Sequence, residues 1–160
     1  EGLSRFHAIQ NNFSLLNRRF LDELANVCRL ENVSCLPYSP IGGGVLSGKY
    51  NQENVPTDCR FGDYTNDANP RQQAMARRFV NEGTLSSTAK YLEIAQAAGM
   101  SPVTLATAWS MNFDFVASTI IGARTADQLD DSLAALDVKL SDEIVKQCDE
   151  VHKQIPYPMG

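Results

Sequence analysis

The sequence lacks the features that mark several large classes of protein. It contains no apolar run as long as a membrane span and no signal peptide, so we expect no membrane partner. It also has no basic run, because 14 Lys and Arg stand against 19 Asp and Glu, for a net charge of -5. Nucleic-acid binding draws its affinity from clustered cations, so we expect no nucleic-acid partner either.

Cysteine is sparse, and its four copies show no C-x-x-C spacing. Cys28, Cys35, Cys59 and Cys148 stand at irregular intervals, which predicts neither a metal site nor a disulfide framework. A reducing, cytoplasmic location follows as the expectation. An initiating methionine is also missing, so we expect a fragment of a longer protein, whose organellar targeting segment would not be visible here.

The glycine-rich stretch PYSPIGGGVLSGKY, at 37–50, lacks one residue of a nucleoside triphosphate-binding loop. Gly43, Gly48 and Lys49 have the spacing of that loop, but Tyr50 replaces the Ser or Thr whose hydroxyl binds magnesium. The polar segment 51–69 is rich in helix breakers, and we expect no helix there to complete a phosphate cradle. The sequence therefore argues against an ATP or GTP site.

What the chain does contain is an alternation of short apolar segments and amphipathic helices. Three segments have the composition of strands, and the last is apolar on both sides, as in a strand buried on both faces: 6–10, 33–39 and 115–122. Six segments have the pattern of helices: 18–31, 70–82, 85–99, 101–113, 125–136 and about 141–152. This order predicts an α/β fold with a parallel sheet, in which ligands bind at the carboxyl ends of the strands.

Polar residues predict where three of these helices begin. Ser101 and Ser141 stand at cap positions, and Thr125 with Gln128 has the spacing of a capping box.

Apolar stripes predict the buried faces of two helices. In 18–31 the stripe contains Phe20, Leu24, Val27, Cys28 and Leu30, and in 125–136 it contains Leu129, Leu133 and Leu136.

Two strand exits have residues suited to a ligand. At the second, Gly122 and Arg124 precede a helix start, where backbone amides and a guanidinium bind anions. Taken alone, this motif is explained more simply by a capped helix with a solvated arginine. At the first, glycines permit close approach and Tyr38 offers a flat face, unless the loop is merely flexible beside a core tyrosine. Gln10 could bond an amide at the end of the first strand.

Taken together, these stretches resemble the aldo-keto reductases, in particular the Tas-like and potassium-channel β-subunit branches. IQNNFSLLNRRF resembles the family's QN and LLNR stretch, YSPIGGGVLSGKY its nicotinamide-stacking loop, and STIIGARTADQL its adenosine-phosphate loop. The resemblance runs along nearly the whole chain. It implies one partial oxidoreductase domain over 1–160, which forms the C-terminal part of a (β/α)8 TIM barrel, about strands 6 to 8 with their helices.

The resemblance also implies a cofactor, NADP(H), and the residues that hold its nicotinamide and pyrophosphate. By position, Gln10 would bond the carboxamide and Tyr38 would stack under the ring. The glycine-rich loop would wrap the pyrophosphate with Ser39, Pro40, Ile41 and Gly43. Two cations, Lys49 and Arg60, would supply positive charge toward the adenosine half.

The other end of the cofactor would meet the last loop. There the resemblance implies that Gly122, Arg124 and Gln128 face the 2′-phosphate, while Asp131 and Ser132 face the adenine. The family usually has Glu and Asn at these last two positions. Because Asp is shorter and Ser offers no amide, we expect reduced affinity for adenine.

No catalytic residue is assigned, since the family's Tyr, Lys, Asp and His lie in the first half of the barrel and this sequence begins near the sixth strand. A small-molecule carbonyl substrate is therefore expected only for the full-length protein. Two alternatives stay open. One is a regulatory or scaffold module without turnover, like the channel β subunits, and the other is a half barrel that pairs with itself or with a complementary half to cover its open edges.

Overall fold

The structure is a computed structural model that describes residues 2–53, 57–66 and 69–159. Seven α-helices are found in these ranges: α1 Leu24–Glu31, α2 Arg60–Asn66, α3 Pro70–Phe79, α4 Glu82–Ala97, α5 Pro102–Met111, α6 Asp127–Leu133 and α7 Asp142–Gln154. Short 3-10 helices are formed by Arg19–Leu21, Gly42–Ser47 and Ala134–Asp137. None of these described helices is both long and apolar enough to cross a membrane.

A small parallel sheet stands at the centre. Strands β1 (Ala8–Asn12) and β2 (Ser34–Tyr38) pair in parallel across the crossover helix α1, which confirms the predicted α/β class. Residues 115–121 run along the other side of β2, where the Cys35 amide donates to the Phe115 carbonyl over 2.7 Å. The spatial order is therefore β1, β2 and then segment 115–121.

Segment 115–121 pairs with β2 only through two isolated bridges, Cys35 with Val116 and Tyr38 with Ile120. Three steps along β2 thus correspond to four steps along the segment, which inserts one extra residue, as in a bulge. Pro37 lies at this irregular point and has no amide proton to donate to the ladder. This missing donor explains why the segment does not continue as a regular strand.

The predicted burial of segment 115–122 on both faces is wrong. Ile120 is 40% exposed, and Ala117 and Ser118 are also exposed, whereas Phe115 is buried. On the opposite edge, β1 begins at Ala8 and reaches Asn12, two residues beyond Gln10, while Phe6 lies outside the strand and is 86% exposed. Both β1 and segment 115–121 therefore contain exposed as well as buried residues.

Two of the three predicted helix caps form. The Ser101 hydroxyl accepts from the Val103 amide and the Ser141 hydroxyl from the Ile144 amide, so both predicted caps are confirmed. At α4, Asn81 and Thr84 exchange side-chain to backbone hydrogen bonds, forming a capping box that the sequence pattern did not predict. Each of these caps is built from residues within three positions of one another.

The segment 18–31 is not one helix. A 3-10 turn precedes α1, and Glu23, with φ of -135°, breaks the helical backbone between them. The predicted stripe consequently divides: Phe20 and Cys28 are buried, whereas Val27 is 47% exposed and Leu30 is 83% exposed. A continuous helical period does not hold across a residue with non-helical dihedral angles.

Two other expectations about helices are wrong. The polar segment 51–69 does contain a helix, α2, whose first turn carries Phe61 into the core. In the predicted stripe of segment 125–136, Leu133 is 47% exposed and Leu136 is 68% exposed, although Leu129 is half-buried. The polar composition of 51–69 did not show that Phe61 would pack into the core, and the stripe of 125–136 showed which leucines share a face but not whether anything covers them.

The main core is aromatic. Rings from the loop after β1, from α5 and from segment 115–121 pack at centroid separations of 5.0 to 5.9 Å, with Phe13 in contact with Phe20, Trp109, Phe113 and Phe115. Trp109, in α5, is only 1% exposed. This cluster packs the loop after β1 against α5 and the start of segment 115–121.

Candidate functional site

The carboxyl ends of the three parallel segments meet at one edge of the sheet. Asn12 ends β1 opposite Tyr38, which ends β2 and bridges to Ile120. A cleft of about 440 Å³ opens there, which we call the strand-end cleft. It is lined by Tyr38, Ser39, Pro40, Ile41, Gly43, Gly44, Lys49, Arg60, Ile120, Ile121, Gly122, Ala123, Arg124, Gln128 and Ser132.

Eleven of the thirteen positions singled out from the sequence line this one cleft. The exceptions are Gln10 and Asp131. Gln10 is exposed on β1 and pairs with Leu36, which places it on the face of the sheet that Tyr38 also shares. Asp131 is exposed, and its carbonyl accepts from the Thr104 hydroxyl over 2.7 Å. The roles assigned to these two residues stay predictions.

Four lining residues were not singled out from the sequence. Gly44, Ile120, Ile121 and Ala123 each lie inside or beside the motif stretches already described. Their proximity to Gly43 and Gly122 was the available signal. Apolar side chains such as the two isoleucines give no chemical indication of a site, and only the folded structure shows that they face the cleft.

The glycine-rich loop follows β2 in a left-handed backbone conformation. Ser39 has φ of 56°, and Gly42, Gly43 and Gly44 have φ of 58°, 64° and 98°. A Cβ atom on Gly43 would lie 2.8 Å from the ring of Phe61. Both the positive φ and the lack of space for a side chain therefore require glycine at this position. The result is a backbone that can approach a ligand closely.

Tyr50, which breaks the triphosphate-loop pattern, has a structural role under this loop. It is 3% exposed, and its hydroxyl accepts a 3.2 Å hydrogen bond from the Phe61 amide. Burial raises the pKa of the Tyr50 hydroxyl, and the neighbouring Cys59 raises it further. The Phe61 ring in turn stacks on Phe79 at 4.9 Å, so Tyr50 ties α2 to the glycine-rich loop.

Arg124 dominates the opposite wall of the strand-end cleft. Its amide donates to the Gln128 side-chain oxygen over 3.0 Å, and its Nη1 donates to the Asp58 carbonyl over 2.6 Å. The predicted capping box of Thr125 with Gln128 is therefore wrong. Helix α6 begins at Asp127 after Ala126, whose methyl side chain cannot cap it, and the Gln128 side chain bonds the amide of Arg124.

The charge of the lining is entirely positive. Lys49, Arg60 and Arg124 contribute three cations, and no Asp or Glu is among the residues that line the cleft in the described part of the chain. Tyr38, at 39% exposure, adds an accessible aromatic ring. A concave site with a flat ring, a glycine backbone and three cations suits a ligand that combines an aromatic ring with phosphates.

Comparison with known proteins identifies the relatives of this chain. It is 36% identical over 159 residues to Protein tas of Escherichia coli (strain K12), covering 98% of this chain and 42% of that protein. It is 32% identical over 129 residues to the L-glyceraldehyde 3-phosphate reductase of the same strain, covering 79% of this chain and 36% of the reductase. A probable voltage-gated potassium channel subunit beta of Oryza sativa subsp. japonica is 35% identical over 121 residues, with 74% of this chain and 35% of that subunit covered.

These relatives are much longer than the chain, which spans about two fifths of their length. The model of the Aldo/keto reductase family matches residues 1–153, nearly the whole chain. The chain belongs to the aldo/keto reductase family.

Proposed function

We propose that the strand-end cleft binds NADP(H) and that the chain is the cofactor-binding portion of an oxidoreductase that reduces aldehydes or ketones. The observation that carries this proposal is the convergence of residues from 38 to 132 on one cationic cleft. Lys49 and Arg124 are far apart in sequence, so neither motif stretch alone explains why both residues line the same cleft. Bound there, NADP(H) would supply the hydride for carbonyl reduction.

In this proposal each wall of the cleft holds one part of the dinucleotide. Tyr38 stacks on the nicotinamide and the loop from Ser39 to Gly44 approaches the pyrophosphate. Arg124 and Gln128 bond the 2′-phosphate, for which a guanidinium is the preferred partner. Ser132, only 7% exposed, forms the adenine end with Asp131 beside it.

The same proposal assigns the chain to about strands 6 to 8 of a (β/α)8 TIM barrel. Its support is the order of the parallel segments and the exposed apolar side chains near both outer elements of the sheet, which further polypeptide would cover: Leu3, Phe6, Leu133 and Leu136. Pairing with the rest of the barrel, or with a complementary or identical half, would remove the open edges. A cytoplasmic location remains part of the proposal.

A second function has one observation in its favour. The similarity to a probable potassium channel subunit beta supports a regulatory module in which the bound nucleotide affects a partner protein without turnover. The full-length sequence distinguishes the two proposals. A catalytic Tyr and Lys upstream at the family's spacing would favour the enzyme, and their loss would favour the regulatory module.

Quenching of NADPH fluorescence tests the cofactor assignment. We expect Arg124→Ala to bind NADPH at least about tenfold more weakly than the unchanged chain, because a hydrogen-bonded charge pair with phosphate is lost. Arg77→Ala is the matched control, since Arg77 is exposed on α3 and does not line the cleft. Equal affinities of the two variants would refute the phosphate assignment.

A further inference from the structure

Arg124 is engaged by the opposite flank of the strand-end cleft. Its Nη1 donates to the Asp58 carbonyl over 2.6 Å and lies 3.8 Å from Oδ2 of Asp63 in α2. These residues are 66 and 61 positions away along the chain. Through this contact the guanidinium joins the last loop to segment 57–66, on which Arg60 also lines the cleft.

The contact uses only part of the guanidinium. Nη2 and Nε of Arg124 donate to no acceptor among residues 2–53, 57–66 and 69–159. The side chains of Arg124 and Asp63 are 62% and 54% exposed, so a ligand can reach both. Asp63 is the carboxylate paired with this cation, although no carboxylate lines the cleft itself in the described residues.

A phosphate monoester placed on Arg124 would therefore meet a second anion. Phosphate carries close to two negative charges at neutral pH and forms bidentate bonds with a guanidinium, so it outcompetes a single carboxylate at 3.8 Å. The repulsion between phosphate and Asp63 nevertheless reduces the affinity gained. A dinucleotide without a 2′-phosphate leaves the pair of Arg124 and Asp63 intact and meets no such opposition.

Resting on the proposed function, we propose that Asp63 is a specificity-determining residue that competes with the 2′-phosphate for Arg124 and so limits the preference of the site for NADPH over NADH. Asp63 acts through Arg124 and is a positioning residue, because it does not itself line the cleft. The same ion pair also links segment 57–66 to the last loop.

The test compares Asp63→Asn with the unchanged chain in binding NADPH and NADH. We expect the affinity for NADPH to rise about two- to fivefold, the range of an exposed charge pair, while the affinity for NADH stays the same. Asp130→Asn is the matched control: it removes the same charge from exposed α6, forms no ion pair with Arg124, and should leave the NADPH to NADH ratio unchanged.

Hydrogen exchange without nucleotide gives a second readout. Asp63→Asn should speed amide exchange in segment 57–66, and Asp130→Asn should not. An unchanged NADPH to NADH ratio in Asp63→Asn, or a rise in affinity for both dinucleotides, would overturn the inference alone. Failure of the unchanged chain to bind either dinucleotide would instead refute the proposed function, so the two failures are distinguishable.

Discussion

Gly43 and Gly99 share a left-handed backbone but differ in their surroundings. Their φ angles are 64° and 67°, which other L-residues rarely adopt. A Cβ on Gly43 would meet two ring carbons of Phe61 at 2.8 Å, whereas one on Gly99 would meet nothing within 4 Å. Substitution of Gly99 therefore tests backbone strain alone, whereas substitution of Gly43 tests backbone strain together with crowding against Phe61.

We expect both Gly99→Ala and Gly43→Ala to destabilise the fold, by unequal amounts. Gly99→Ala should lower the free energy of unfolding by about 1 to 2 kcal/mol, from backbone strain alone. Gly43→Ala should lower it by about a further 1 to 3 kcal/mol, since Phe61 must move. Urea unfolding measures both, and equal losses would contradict the close contact between the loop and Phe61.

At the scale of elements, one arginine joins the loop after β1 to α7. Arg18 is 3% exposed, and it bonds Asp149 over 2.6 Å and the Cys148 carbonyl over 2.8 Å. Its guanidinium carbon lies 4.4 Å from the centroid of the Trp109 ring in α5. One buried cation thus connects the loop after β1, α5 and α7 beside the aromatic core.

Arg18→Ala should lower the free energy of unfolding by about 3 kcal/mol, the low end for a broken buried ion pair, because Asp149 is 48% exposed and keeps its hydration. Denaturant titration followed by Trp109 fluorescence measures this loss. Arg29→Ala removes the exposed pair with Asp114 and serves as control, with a much smaller change expected. Similar losses in both variants would argue against Arg18 as the link to α7.

At the scale of the whole molecule, the fold buries the tyrosine that follows the cleft-lining Lys49, so its hydroxyl is not available to the cleft as a proton donor. Tyr50 is buried, its hydroxyl accepts a hydrogen bond from the Phe61 amide, and its pKa is raised. A tyrosine with a raised pKa is a poorer acid near neutral pH. The pair of Lys49 and Tyr50 therefore cannot replace the family's catalytic residues.

We accordingly expect the 160-residue chain to bind NADPH without reducing a test aldehyde. Loss of NADPH absorbance over time is the measurement, with a full-length aldo/keto reductase as the positive control. Steady turnover above the rate without protein would show that the chain has its own acid and base catalysts. Binding without turnover is also the behaviour that the regulatory alternative requires, so this assay is read together with the full-length sequence.

Sequence patterns were most informative where the interaction is local. Ser101 and Ser141 were identified as caps because the capping bond spans two or three residues. The motif stretches around Tyr38 and Gly122 were identified because each is contiguous, and both line the strand-end cleft. By contrast, the exposed Leu30 and Leu136 were predicted to be buried, because periodicity shows which residues share a face but not whether anything covers it.

By itself, the sequence determined the family, the α/β class and most of the residues that line the cleft, since these depend on composition and on neighbours along the chain. Only the tertiary structure decided that Arg124 meets Asp58 and Asp63, and that Tyr50 anchors the unexpected helix α2 through Phe61. These contacts join residues separated by 11 to 66 positions. Their geometry follows from packing of the whole chain, which no local pattern of residues encodes.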